Sequence, residues 1–415
     1  MPHAFLVTES HEHTTQEVHP CFGAELRRLR SLAGLSLGQL AQKIHYSKGH
    51  LSKIERGAKQ PPPQLARLCD AALGANGRLA SLSSSSADPP RRKVVTVGAA
   101  SVLLSSLPGN QTAPAASKEE GVSLAFFRSL FDQFRRIGQV AGPHAVLPAL
   151  TAQTHTLTGI ASKAGDPVRT QLLLLASRYA EFAGWMAQEG GDDVSAMKWT
   201  DEAASLASSG GDHDLTHYAV LRRALVTMYA GDADGTITLA RAAQDKNTSY
   251  RIRGLAAVQE AQGHALAGQE VLCRRALDRS RDLLDRATKG DAAPVLGTSH
   301  VSDPTAMAEG WCLYDLGRPA EAAARLGREL NRLPADAMRA RARYGMRQAL
   351  AHATAGDIDE ACAVADSLLR SVDVVSSATI RTDLYRLNSE LNRFRTHSVV
   401  RELSPRMAAS LRPAV

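Results

Sequence analysis

The chain has 415 residues, 44% of them hydrophobic and 22% charged, with a formal net charge of +7. That length favours at least two domains, and that composition excludes a disordered chain. The positive charge is not spread evenly: between Cys21 and Ala80 stand ten lysines and arginines against three acids, an excess equal to that of the whole protein. A small basic module on a neutral body is the electrostatic footprint of a nucleic-acid binder. The five cysteines, Cys21, Cys69, Cys273, Cys312 and Cys362, are scattered without CxxC spacing. This argues for reduced thiols in a cytoplasmic protein and against a disulfide framework or a zinc site.

In chain order, residues 1–20 read as a flexible arm without the basic start and apolar run of an export signal. Its "HEH" at 11–13 offers metal ligands with no scaffold to fix them, so a solvated tail is expected. From residue 21 to 82 the apolar spacing is helical. A first helix is predicted over Phe22–Ala33, stopped by Gly34. Ser36 then caps a second helix, and Gln39 completes a capping box. Ser47 caps a third helix whose inner face is Leu51 and Ile54, and Pro61–Pro63 precede a fourth at about Gln64–Ala72. On the third helix Lys48, Gly49, His50, Ser52 and Lys53 are expected to face outward or toward the helix start. His45 holds a turn position for which a positive φ is expected.

The pattern of Ala41, Ile44, Leu51, Ile54, Glu55 and Gly57 resembles the helix-turn-helix of phage-repressor-type regulators, the XRE family. That resemblance implies that the third helix enters the major groove of double-stranded DNA. It makes Lys48, Gly49 and Lys53 the base-facing positions, with Ser47 at phosphate and His50, Ser52 and Arg56 beside them. It also implies that Glu55 pairs with Arg30 of the first helix in a structural role.

Residues 83–120 read as a linker, Ser- and Pro-rich at both ends. Within it, Arg91 precedes an uncharged run of 14 residues, Val94–Leu107, shorter than the roughly 18 needed to span a bilayer. A helix packed on the body or on a partner copy is expected there, and no membrane partner.

From 121 to 415 the chain is rich in Ala, Leu and Arg. Five glycines, Gly191, Gly231, Gly268, Gly317 and Gly356, each end one helical stretch and open another, at intervals of 40, 37, 49 and 39 residues. Glycine suits a left-handed turn there, and Ala196, Ala322 and Ala361 five residues on let the flanking helices approach. The stretch "EGWCLYDLGRPAEAAARLGREL", 309–330, resembles a tetratricopeptide repeat. The expected fold is therefore all-α: an N-terminal repressor-like helix-turn-helix domain joined to a tetratricopeptide-like α-solenoid of six or seven hairpins. The pairing resembles the peptide-pheromone receptors of Gram-positive bacteria, which implies a ligand in the solenoid.

Tyr179, Trp185, Arg222, Tyr229 and Trp311 are the candidate ligand-binding residues, although core packing also suits the aromatics. Arg339, Arg341, Arg343 and Arg347 are expected to form a solvated basic face, and "GDHD" at 211–214 a turn followed by a capped helix. Only four asparagines, Asn247, Asn331, Asn388 and Asn392, are available in this body to hold a peptide backbone. No HExxH, P-loop or GxSxG motif occurs, so no catalytic residue, metal or cofactor is expected, and no enzyme. The function expected is a cytoplasmic, sequence-specific transcriptional regulator, homodimeric on DNA, with a peptide, small molecule or protein as partner of the repeat domain. The alternative is an interaction scaffold with an auxiliary helix-turn-helix module.

Overall fold

The computed structural model describes residues 21–84, 116–287, 296–297 and 300–412. The arm at 1–20 and the apolar run at 94–107 lie outside these residues. Among the described residues there are nineteen α-helices and no strand.

Five helices build the N-terminal domain: α1 (Phe22–Leu32), α2 (Leu37–Lys43), α3 (Lys48–Glu55), α4 (Pro63–Leu73) and α5 (Arg78–Ser84). Local chemistry sets most of their ends. Gly34 turns with φ 67° after α1, and Ser36 and Gln39 exchange side-chain and backbone hydrogen bonds as a capping box on α2. The Ser47 side chain accepts from the His50 amide at the start of α3, and His45, just before it, adopts φ 54°. Leu26, Leu40, Leu51, Ile54 and Leu65 meet in a closed core, each side chain contributing roughly 1.5–3 kcal/mol by leaving water. Gly23 is required where α1 crosses the end of α3, because a Cβ there would lie 2.5 Å from the Ile54 carbonyl oxygen. Helix α5, placed inside the same predicted domain, is fixed by buried Asp70, which accepts from the Leu79 amide at 2.9 Å and the Ala80 amide at 2.7 Å.

Fourteen helices follow in consecutive pairs. They are α6 (Ala116–Val140) with α7 (Pro143–Ala161), α8 (Val168–Gly190) with α9 (Asp193–Gly210), and α10 (His213–Tyr229) with α11 (Ala233–Ala242). Next come α12 (Tyr250–Leu266) with α13 (Glu270–Ala287), and α14 (Pro304–Asp315) with α15 (Pro319–Leu330). Last are α16 (Met338–Ala355) with α17 (Ile358–Val375), and α18 (Ala378–Leu391) with α19 (Ser398–Ser410). The segments 83–84 and 116–120, expected in the linker, are helical ends of α5 and α6.

The five turn glycines all have positive φ, between 73° and 91°. Gly211, in "GDHD", joins them at 77°. After three of these glycines an aspartate caps the next helix: Asp192, Asp212 and Asp232 accept from the amides of Ser195, Leu215 and Gly235 at 2.8–2.9 Å. The small residues beyond the turns are buried, Ala322 and Ala361 completely.

Two features decide where a site can lie. First, the helical stack closes on itself through Arg339 of α16, which is 2% exposed. Its guanidinium donates to Glu189 of α8 at 2.7 Å and to the carbonyls of Gly138, Ala141 and Val375. Second, the N-terminal domain rests on the inter-helix turns of the body. Arg67 of α4 pairs with Asp315 at 2.9 Å. The Gly317 turn lies against the Arg67 carbonyl, Gly268 against Gly77, and Gly356 against the His45 ring. Arg393 donates to the His45 carbonyl and stands 3.7 Å over the Tyr46 ring. A side chain on Gly317 or Gly268 would collide with that domain's backbone.

The arginines expected to form a solvated face do not do so. Arg339 and Arg347 are buried, and Arg347 donates to Asp383 at 2.9 Å. Arg341 donates to the carbonyls of Leu330 and Leu333, and Arg343 to the Tyr229 hydroxyl. Burial is possible because each charge finds an acid, a hydroxyl or carbonyls.

Candidate nucleic-acid interface and body cavity

Helix α3 presents its apolar side to the domain core and the rest to solvent. Leu51 and Ile54 are buried, whereas Ser47, Lys48, Gly49, Lys53 and Arg56 are exposed and Ser52 is half-buried. A Cβ on Gly49 would meet nothing within 4 Å. Space is therefore open for another backbone or a groove wall to approach here. The first amides of a helix lack intrahelical acceptors and favour an anion, so the exposed start of α3 is a chemically suitable phosphate contact. Arg56 folds back, its Nε donating to the Ser52 carbonyl at 3.2 Å.

His50 leans toward the helix start. It is half-buried, its ring lies 5.6 Å from that of Tyr46, and its Nε2 is buried without a partner. Burial, with Lys59, Arg393 and Lys53 nearby, lowers its pKa and favours the neutral imidazole. Arg30 holds Glu55 in a two-pronged pair, Nε to Oε1 at 2.6 Å and Nη2 to Oε2 at 3.1 Å. This pins the end of α3 to α1.

The body holds a cavity of about 1100 Å³ that is partly open to solvent, slightly above the roughly 300–1,000 Å³ of small-molecule sites. First helices of the pairs line it, and its wall carries eight arginines against four acids. Of the five sequence candidates, Trp185, Arg222 and Trp311 line it. Tyr179 instead lies in the core, its hydroxyl donating to the Phe127 carbonyl at 2.7 Å. Tyr229 stands behind the wall, edge-on to Trp311. No asparagine lines the cavity among the described residues.

Sequence reasoning missed the cluster around Glu181. Burial pushes that carboxyl above its ordinary value, opposed by Arg222, Arg178 and Arg135. Arg178 reaches Asp212 at 2.8 Å with one nitrogen, and its Nη1 is buried without a partner. Arg222 donates to Gln188 at 2.8 Å, and its Nε likewise has no partner. The signal available was weak, because arginines in "ASRYAEF" and "VLRRAL" look like ordinary helix charges.

Residues 22–82 match the family model described as a helix-turn-helix domain, and these residues form α1 to α5. The N-terminal unit is a helix-turn-helix domain, which supports a DNA-binding regulator. Comparison with curated proteins and with solved structures gave no match. Among the described residues no group of three or more potential ligands could hold a metal. No described helix is long and apolar enough to cross a membrane.

Proposed function

We propose that this chain is a cytoplasmic, sequence-specific transcriptional regulator of the repressor type. In this reading it is a homodimer on a two-fold operator, and its tetratricopeptide-like body senses a ligand in the cavity. The observation that carries the DNA-binding reading is α3. In a domain that matches a helix-turn-helix family, its inner face is locked into the core while Lys48, Gly49 and Lys53 stay exposed. Lysines there can donate to guanine O6 and N7, and Ser47 and the free amides can hold phosphate.

The sensing part is supported by two helices that belong to both regions. Helix α14 lines the cavity with Trp311 and ends one turn later at Asp315, the partner of Arg67. Helix α16 lines it with Arg343 and ends at the Gly356 turn against His45. A shift of either helix on ligand binding would move the surface on which the helix-turn-helix rests.

The test is selection of genomic DNA fragments by the full chain beside a Lys48→Ala/Lys53→Ala variant, at about 150 mM salt to suppress phosphate-only binding. Wild type should enrich a shared two-fold motif, with half-sites one helical turn apart, about 34–36 Å, or a multiple of it. The double variant should enrich none. Equal recovery of the same fragments by both proteins would refute the assignment of α3 as the reading helix.

A further inference from the structure

The wall of the body cavity has a chemistry of its own. Its arginines outnumber its acids two to one, and several have capacity left after their internal partners are counted. Arg222 is 6% exposed, lines the cavity, and has an Nε with no hydrogen-bond partner. Arg178 and Arg343 also line it, each with one buried guanidinium nitrogen that is not hydrogen-bonded. A buried donor left unsatisfied is costly, and more so when charged. Three at one cavity are hard to explain by packing alone.

Besides its charges and neutral polar side chains such as Gln259 and Gln262, the wall has an apolar and aromatic part. Phe131, Phe182, Trp185, Leu255 and Trp311 all face the same space. The Arg339 clasp joins α16 to α6 and α8 beside Trp185. The clasp bounds the space on that side.

We propose that this cavity binds a small organic anion, an apolar or aromatic body bearing one acidic group, with that group held between Arg178 and Arg222. Guanidinium forks suit paired oxygens of a carboxylate or sulfonate. The tryptophan-lined remainder takes the apolar body. Binding would match the positive excess of the wall. The proposal deepens the sensor reading, and it rests on that reading only for its consequence at DNA.

The experiment uses two fluorescent probes on the full chain. One is 1-anilinonaphthalene-8-sulfonate; the other is N-phenyl-1-naphthylamine, the same skeleton without the acidic group. Trp185 and Trp311 line the cavity, so energy transfer from tryptophan reports binding to the body, and the arginine variants assign it to the cavity. The sulfonate should bind saturably and at least about tenfold more tightly than the neutral probe. Arg222→Gln should weaken the sulfonate by about tenfold or more and change the neutral probe by less than about twofold. Arg222→Lys, which keeps the charge, should retain part of the affinity.

Circular dichroism checks that each variant is folded. Should Arg222→Gln unfold, Arg178→Gln carries the same expectation. Equal affinity for both probes, no saturable binding, or sulfonate binding indifferent to both arginines would overturn the proposal. Repeating the titration on a protein–DNA complex separates the two claims. Sulfonate binding that leaves DNA affinity unchanged would keep the anion site and remove the sensor.

Discussion

Gly49 is an unusual residue for its place. It lies in the first turn of α3, where it costs helix stability relative to alanine, and no packing demands it, because a Cβ would meet nothing within 4 Å. Gly23 is the opposite case, since its missing side chain lets α1 approach α3. In the proposed reading the reason is external, the close approach of a DNA groove wall. Gly49→Ala is therefore expected to stabilise α3 by up to about 1 kcal/mol and to weaken operator binding. Slower amide exchange in α3 together with lower DNA affinity would bear this out. Slower exchange with unchanged affinity would leave Gly49 without a role at DNA.

At the scale of elements, the contact between the two domains rests on few groups. Arg67–Asp315 is the one ion pair across it among the described residues, with side chains 17% and 9% exposed. Arg393 adds its contacts to His45 and Tyr46. Hydrogen bonds to charged groups are worth about 1.5–3 kcal/mol each. Arg67→Ala/Arg393→Ala is thus expected to raise amide exchange at least tenfold in the α2–α3 turn and at the end of α14. Exchange in the middle of α1, inside the domain's own core, should not change. Equal exchange in variant and wild type would mean that the docking contributes no stability and cannot transmit a signal.

The same contrast between local and distant partners explains what was legible in the sequence. The capping box of Ser36 and Gln39, the Gly-Asp turns and the apolar face of α3 depend on neighbours a few residues away. Periodicity and cap chemistry expose them directly. The Arg30–Glu55 pair spans 25 residues and could be placed only through the resemblance of the motif. Arg339 and Arg347 read as a solvated face because their acids stand far off in sequence, Glu189 at 150 residues and Asp383 at 36. The cavity was half visible for the same reason. Tryptophans on first helices hinted at it, but the convergence of Arg178, Arg222 and Glu181 depends on how α8 and α10 face each other.

For the whole molecule, closure of the helical stack depends on Arg339. Its four hydrogen bonds join α16 to α6, α8 and the end of α17. Glu189 is held in turn by Thr379 of α18 at 3.0 Å. Burial by itself would push the Glu189 carboxyl up, but Arg339 and Arg343 nearby, with the hydrogen bonds it accepts, bring it below its ordinary 4.5. A carboxyl lowered in the folded state stabilises it above the unfolded value, and that contribution is lost as pH falls through 4.5 and below. Arg339→Ala would strand a buried carboxylate and three carbonyls, so a loss of about 3–5 kcal/mol is expected at neutral pH. Glu189→Gln/Arg339→Met removes both charges and should be milder. Urea denaturation from pH 7 to pH 4 checks both statements. Wild type should lose stability more steeply than the double variant below about pH 5, because only wild type carries a carboxyl that binds its proton more readily unfolded than folded. Parallel curves would show that the ring is closed by packing, with the charges along for specificity alone.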